Sequence, residues 1–188
     1  SILDIGAGSG ILALMLAQRS SAEFIDALEI DASAYEQCVA NFEQSPWRDR
    51  LFCYHASLEE FTEEIEDKYD LIISNPPFYT NPFDTQNYAR NIARFEHAMP
   101  FKHLIESVSK LLADGGQFCV IIPYSAEKTF CTLAQAHGLF CHNIVNVRGE
   151  KQGEFKRCLM ALSFENRQTN SQEMHLEDGR HSYSKAYK

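Results

Sequence analysis

The amino-acid sequence predicts an α/β protein with a mostly parallel sheet of seven strands, helices on both faces and a C-terminal antiparallel hairpin. Two patterns support this fold class. Short apolar runs of strand length alternate with segments of helical period along most of the 188 residues, and this order is typical of parallel sheets. The last two apolar runs have no helix between them, so they are expected to pair in antiparallel fashion.

The predicted elements follow one another in a regular order. Strands are expected at residues 1–5, 23–31, 51–55, 69–74, 117–123, 140–147 and 156–164, and helices at 11–20, 32–44, 101–116 and 125–138. Residues 58–70 are expected to form an amphipathic segment with an acidic solvent face, because Leu58, Phe61 and Ile65 recur at helical spacing. We expect one domain over residues 1–166, with 167–188 as a polar C-terminal tail of the same domain.

Composition narrows the class of protein. Hydrophobic residues make up 45% and charged residues 23% of the chain, which is ordinary for a globular domain, and no apolar run is long enough to span a membrane. The six cysteines form no CxxC pair, so neither zinc binding nor thiol–disulfide exchange is indicated. We expect a cytoplasmic monomer with no metal and no membrane attachment. Because the chain opens inside an apolar strand, we also expect the natural protein to continue beyond both ends.

Charge is distributed unevenly along the chain. The net charge of −9 argues mildly against a nucleic-acid partner. Residues 58–70 hold seven acids and one lysine, a net of −6, whereas residues 148–157 hold four cations and two acids, a net of +2. Arg90 and Arg94 follow the fourth strand. These basic positions are candidate contacts for phosphate groups, with ordinary surface charge as the alternative at each of them.

A glycine-rich loop, LDIGAGSG, joins the first strand to the first helix. Glycines at such a position let the backbone approach a ligand and expose the N–H groups of the helix N-terminus. The spacing alone is a weak signal, because a plain tight turn would also explain it. Glu29 ends the second strand about twenty residues later, where an acid accepts hydrogen bonds from ribose hydroxyls. Loop and acid together indicate an adenosine-containing cofactor. Asp31 is better explained as a helix N-cap.

The stretch SNPPF, residues 74–78, ends the fourth strand. Two consecutive prolines stop a strand, so the stretch on its own would be a turn. In open α/β sheets, however, the carboxyl ends of the strands carry ligands, and the fourth strand is expected beside the first. The motif would then face a cofactor held by the glycine loop.

The glycine loop, the strand-end acid and NPPF together resemble the class I S-adenosylmethionine-dependent methyltransferases, which have a Rossmann-like sheet. NPPF matches the [D/N/S]PP[Y/F/W] motif of those that methylate planar nitrogens. An exocyclic amine is a poor nucleophile, so it needs an acceptor for each of its two N–H groups. The resemblance gives these roles to the side-chain oxygen of Asn75 and the carbonyl of Pro76. Pro77 holds that carbonyl rigidly, and Phe78 offers a stacking face to a flipped base.

A closer resemblance covers almost the whole chain. The stretches LDIGAGSGILALMLAQR, ALEID, QSPWRDRL and YDLIISNPPF are similar to the bacterial tRNA (adenine-N6)-methyltransferases that modify adenine 37 of a valine tRNA. This implies tRNA as the partner and direct displacement of the methyl group of S-adenosylmethionine by the adenine amine. Alternatives are a methyltransferase acting on a ribosomal RNA base or a protein glutamine amide, and a non-catalytic methyltransferase-like binding module. A nicotinamide dehydrogenase fits worse, because NPPF has no role there.

The resemblance also implies a set of site residues. The catalytic positions are Asn75, Pro76, Pro77 and Phe78. The cofactor-binding positions are Asp4, Gly6, Ala7, Gly8, Gly10, Glu29, Ile30, Ser57, Leu58 and Asn75. Ser57 stands where the family commonly has an acid that accepts from the adenine amine of the cofactor, and a hydroxyl is a weaker acceptor.

Overall fold

The computed structural model describes residues 1–76, 100–179 and 182–187. These residues form nine strands and five α-helices. In chain order they are β1 (Ile2–Ile5), α1 (Ile11–Arg19), β2 (Ile25–Glu29), α2 (Ala32–Glu43), β3 (Leu51–His55), α3 (Leu58–Glu64), β4 (Tyr69–Ser74), α4 (Phe101–Leu111), β5 (Leu112–Pro123), α5 (Glu127–Ala136), β6 (Phe140–Glu150), β7 (Phe155–Ser163), β8 (Asn170–Gly179) and β9 (Ser182–Tyr183).

All nine strands belong to one sheet, in the order β3-β2-β1-β4-β5-β7-β6-β8-β9. The first five strands are parallel to one another. β7 is antiparallel to both β5 and β6. The predicted α/β class, the adjacency of the first and fourth strands and the C-terminal hairpin are therefore confirmed.

The expected count of seven strands was wrong, because the polar C-terminal residues add two more. β8 pairs in parallel with β6 from Asn170 to Glu177, and β9 pairs antiparallel with β8. Most of β8 is exposed or half-buried. Backbone hydrogen bonds with β6 hold most of β8 in the sheet. A strand held in this way needs no apolar side chains, so the hydropathy of the sequence does not indicate it.

The fourth helix is also shorter than expected. α4 ends at Leu111, and the residues up to 116 that were assigned to it begin β5 instead. Leu112 is buried and pairs with Tyr69 at the start of β4. A side chain at Gly116 would lie 2.9 Å from the carbonyl oxygen of Tyr69. This glycine therefore serves close packing of the two strands and does not terminate the helix.

The sheet buries a separate core on each of its faces. Alternate residues of β1 point to opposite sides, as a strand requires. Ile2 packs with α1 and α2, in a core that includes Cys38 and Phe42. Leu3 and Ile5 pack on the other face, with residues of α3, α4 and α5. Within the described ranges, no helix is long and apolar enough to cross a membrane.

Candidate active site

The carboxyl ends of β1, β2 and β4 meet in one row. The register pairs Ile5 of β1 with Leu28 of β2 and with Ser74 of β4. The residues that follow these positions are Gly6, Glu29 and Asn75, so they stand side by side at the edge of the sheet. Parallel pairing therefore brings together the predicted cofactor loop, the predicted ribose acid and the predicted amine-orienting residue.

The glycine loop has the left-handed backbone that its composition allows. Gly8 has a φ of 57° and Gly10 a φ of 78°, values that side chains disfavour. A Cβ at Gly10 would lie 2.5 Å from Cε1 of Phe42 and 2.7 Å from Sγ of Cys38, both on α2. A Cβ at Gly8 would meet nothing within 4 Å. The missing side chain at Gly10 thus allows the start of α1 to pack closely against α2, whereas the space beside Gly8 is open.

The Glu29 carboxylate holds the loop in place. One oxygen accepts a hydrogen bond from the N–H of Gly8 at 2.7 Å, and the other accepts from the N–H of Asp31 at 2.9 Å. Each carboxylate oxygen has a second acceptor site, so this arrangement leaves capacity for ribose hydroxyls. Asp31 caps α2 by accepting from Ala34 at 2.8 Å, as predicted.

Asp4 has an unusual environment for a carboxyl group. Its side chain is fully buried on the α1 face of β1, and neither of its oxygens has a hydrogen-bond partner. Burial raises its pKa to about 7, an effect opposed by the nearby N–H of Ala13 and reinforced by the charge of Glu29. A buried acceptor without a donor is costly. A positively charged donor that reached this carboxyl would relieve that cost.

Asn75 and Pro76 occupy contrasting environments just beyond β4. Asn75 is exposed and Pro76 is buried. The preceding Ser74 is buried, and its hydroxyl donates to the carbonyl of Ile5 at 2.8 Å, which fixes the end of β4 against β1. Pro77 and Phe78 lie outside the described residues, as do Arg90 and Arg94.

Three of the remaining predicted positions surround the end of β2 and the start of α3. Ile30 is an exposed hydrophobic residue directly after Glu29, and Leu58 is buried. Ser57 is the N-cap of α3. Its hydroxyl accepts from the N–H of Glu60 at 3.2 Å and donates to the Glu60 carboxylate at 2.8 Å. Helix capping therefore accounts for Ser57, whose oxygen keeps one free acceptor site.

Sequence reasoning missed two residues that position the site. Asn41 of α2 donates to the carbonyl of Ser9 at 2.9 Å and so supports the glycine loop from below. Ser74 was part of the quoted motif, yet no role was assigned to it. The role of Ser74 could have been predicted from its position at the end of a strand. No feature of the local sequence predicts the role of Asn41.

An apolar cavity adjoins the site on the α1 face of the sheet. Its volume is about 400 Å³, and it reaches Ser74 and Asn75 from the side. Most of its lining comes from α1 and from the strands β4 to β7, including Met15, Ile121 and Leu159. Among the described residues, the lining includes neither the glycine loop nor Glu29. The cavity therefore meets the row of strand ends at Asn75 and lies apart from the glycine loop and Glu29.

Comparison with solved structures defines the class of protein. A predicted O-methyltransferase from Agrobacterium tumefaciens superposes with a TM-score of 0.72 at 17% identity, covering 98% of this chain and 85% of the other. A glycopeptide N-methyltransferase in complex with S-adenosylmethionine superposes with a TM-score of 0.64 at 12% identity, covering 87% and 86%. At these identities the likeness concerns the fold, which is that of the class I methyltransferases.

Sequence comparison identifies the family. The methyltransferase small domain family matches residues 1–140. A tRNA1(Val) (adenine(37)-N6)-methyltransferase from Flavobacterium psychrophilum is 53% identical over 187 residues, covering 100% of this chain and 80% of the relative. A protein of the same name from Flavobacterium johnsoniae is 53% identical over 188 residues with the same coverage. The chain belongs to this family of methyltransferases.

Proposed function

We propose that the protein transfers a methyl group from S-adenosylmethionine to the N6 amine of adenine 37 in a valine tRNA. The observation that carries this proposal is the adjacency of Gly6 and Asn75 at the ends of β1 and β4. It joins a loop suited to the cofactor to a residue suited to an amine. The names of the two Flavobacterium relatives supply the acceptor.

The residues at the strand ends fit the cofactor. The Glu29 carboxylate would accept hydrogen bonds from the adenosine sugar, with Ile30 and Leu58 beside the adenine ring. Asp4 offers an unpartnered carboxyl to the amino group of the methionine part. When bound, S-adenosylmethionine supplies an electrophilic methyl group.

Asn75 and Pro76 would orient the accepting amine. The Asn75 side chain is exposed at the edge, so its oxygen is available to one N–H of an incoming amine. The carbonyl of Pro76 would accept the other. Ser74 anchors both residues through its bond to Ile5, so the acceptors are held in position before substrate arrives. Preorganised polar groups of this kind are a main source of catalysis.

Transcripts that differ at one nucleotide test the acceptor. We would incubate the protein with labelled S-adenosylmethionine and a valine tRNA transcript, and with the same transcript carrying guanine at position 37. The proposal predicts N6-methyladenosine in the first and no methylation of the second. Equal labelling of both, or labelling of ribosomal RNA or of a protein in place of the tRNA, would contradict it.

A further inference from the structure

Three strands extend beyond the active-site row and form a wall beside it. β4 ends at Ser74, which pairs with Val120, whereas β5 continues to Pro123. Tyr124 follows at once. Tyr124 therefore lies three residues, or roughly 10 Å, beyond Asn75 in the direction of the strands, and one strand to its side. The hairpin of β6 and β7 reaches the same height, because Pro123 pairs with Arg157.

The top of this wall carries an aromatic cluster. The rings of Tyr124 and Phe155 lie 5.2 Å apart, centroid to centroid, at an angle of 42°. The guanidinium of Arg148 lies 4.7 Å from the centroid of the Phe155 ring. Tyr124 remains 39% exposed. The cluster therefore presents one aromatic ring to solvent, directly after the end of β5, which is the neighbour of β4.

Contacts behind Tyr124 hold the cluster in place. Arg148 of β6 pairs with the Glu173 carboxylate of β8 at 2.8 Å. Phe155 stands opposite Arg148 in the ladder between β6 and β7. An aromatic surface that is already fixed loses little conformational freedom when a ligand stacks on it. Lys151 and Lys156 are exposed on the same hairpin, as are Glu150 and Glu154, and residues 148–157 carry a net charge of +2.

We propose that Tyr124, supported by Phe155 and Arg148, is a stacking platform for an unpaired RNA base next to the adenine that is methylated. An exposed aromatic ring beside cationic side chains is the arrangement by which proteins bind single-stranded nucleic acid. The inference rests on the proposed function, since it assigns a second contact to the same RNA.

Matched variants test the platform by RNA affinity. The probe is a fluorescent anticodon stem-loop of valine tRNA. Stacking on Tyr124 predicts that Tyr124→Ala weakens its binding roughly 5- to 100-fold, whereas Tyr124→Phe stays within about twofold. Tyr54 is the control, because it is also 39% exposed and its ring also lies beside a phenylalanine, Phe61 at 5.3 Å, but on the opposite edge strand β3. Tyr54→Ala is expected to bind the RNA as the unaltered protein does.

A double-substitution cycle separates base stacking from other effects of the variant. Stem-loops with an abasic residue on one side or the other of the target adenine are measured with the unaltered protein and with Tyr124→Ala. One abasic stem-loop is expected to bind the unaltered protein more weakly than the complete stem-loop does. Tyr124→Ala is expected to bind that abasic stem-loop no more weakly than the unaltered protein binds it. Unchanged RNA affinity of Tyr124→Ala would overturn the inference, as would an equal loss on all three RNAs.

Affinity for S-adenosylmethionine, measured on each protein, confirms that the variants are folded. The cycle measures RNA affinity, so its result does not depend on whether the protein transfers a methyl group. Absence of N6-methyladenosine with the unaltered protein would count against the proposed function, whereas absence of coupling in the cycle counts against the platform.

Discussion

At the scale of single residues, Asp4 has the most distinctive chemistry in the described chain. Its carboxyl is buried without a hydrogen-bond partner, and burial raises its pKa from 3.8 to about 7. The folded protein therefore holds the Asp4 proton more tightly than the unfolded chain does. It follows that the free energy of unfolding falls as pH rises between about 4 and 7.

Asp4→Asn removes this titration. We expect the free energy of unfolding of the unaltered protein to fall by up to about 4 kcal/mol more than that of the variant between pH 4 and pH 8. Urea unfolding of both proteins at several pH values measures the difference. Identical pH dependence would show that the Asp4 carboxyl is not strained by burial.

The same residue predicts how binding responds to pH. A ligand with a positively charged amine would favour the ionised carboxylate, so binding would release a proton. Affinity for S-adenosylmethionine is then expected to rise as pH increases through about 7, the pKa of Asp4. Isothermal titration in buffers of different ionisation enthalpy measures the proton release, and its absence would place the amine elsewhere.

At the scale of elements, a buried hydrogen bond ties β4 to β2 across β1. The Tyr69 hydroxyl donates to the Asp26 carboxylate at 2.7 Å, and Asp26 is 6% exposed. Burial raises the pKa of Asp26, and the hydrogen bond from Tyr69 opposes that rise. The pair aligns the strands whose ends carry Glu29 and Asn75.

Tyr69→Phe keeps the ring and removes the donor to Asp26. We expect a loss of about 1–3 kcal/mol in the free energy of unfolding, because the carboxylate stays buried without its partner. Tyr54→Phe, at a half-exposed tyrosine, is the control and should change stability by less than about 0.5 kcal/mol. Chemical denaturation measures both, and equal stabilities would mean that the Asp26 carboxylate finds another partner.

At the scale of the whole molecule, local signals predicted the centre of the sheet but not its C-terminal edge. The glycine loop and NPPF each follow a clearly apolar strand. In a parallel sheet the ends of such strands lie at the same edge, so the position of both motifs could be predicted. β8 is polar except at Met174 and Leu176 and pairs largely through its backbone, so its hydropathy signal is weak. Asn41 acts through a contact 32 positions away, which a local pattern does not encode.

Truncation tests whether the sheet needs β8 and β9, the two C-terminal strands that were not predicted from the sequence. A chain ending at residue 166 would lack β8, expose the backbone edge of β6 and break the ion pair of Arg148 with Glu173. Exposed edges favour association between chains. We expect lower stability and aggregation in gel filtration, whereas a chain ending at Gly179 should remain monodisperse. Normal behaviour of the shorter chain would show that β8 is dispensable.

The most direct test of the account is methyl transfer by Asn75→Ala. We predict that transfer to valine tRNA falls by about 100- to 1000-fold, the usual effect of losing one preorganised hydrogen-bonding group, while affinity for S-adenosylmethionine is largely kept. Asn166→Ala, in the exposed loop between β7 and β8, is the control and should transfer normally. If Asn75→Ala produced N6-methyladenosine at the normal rate, the amine would be oriented by other groups and the role proposed for Asn75 would be wrong.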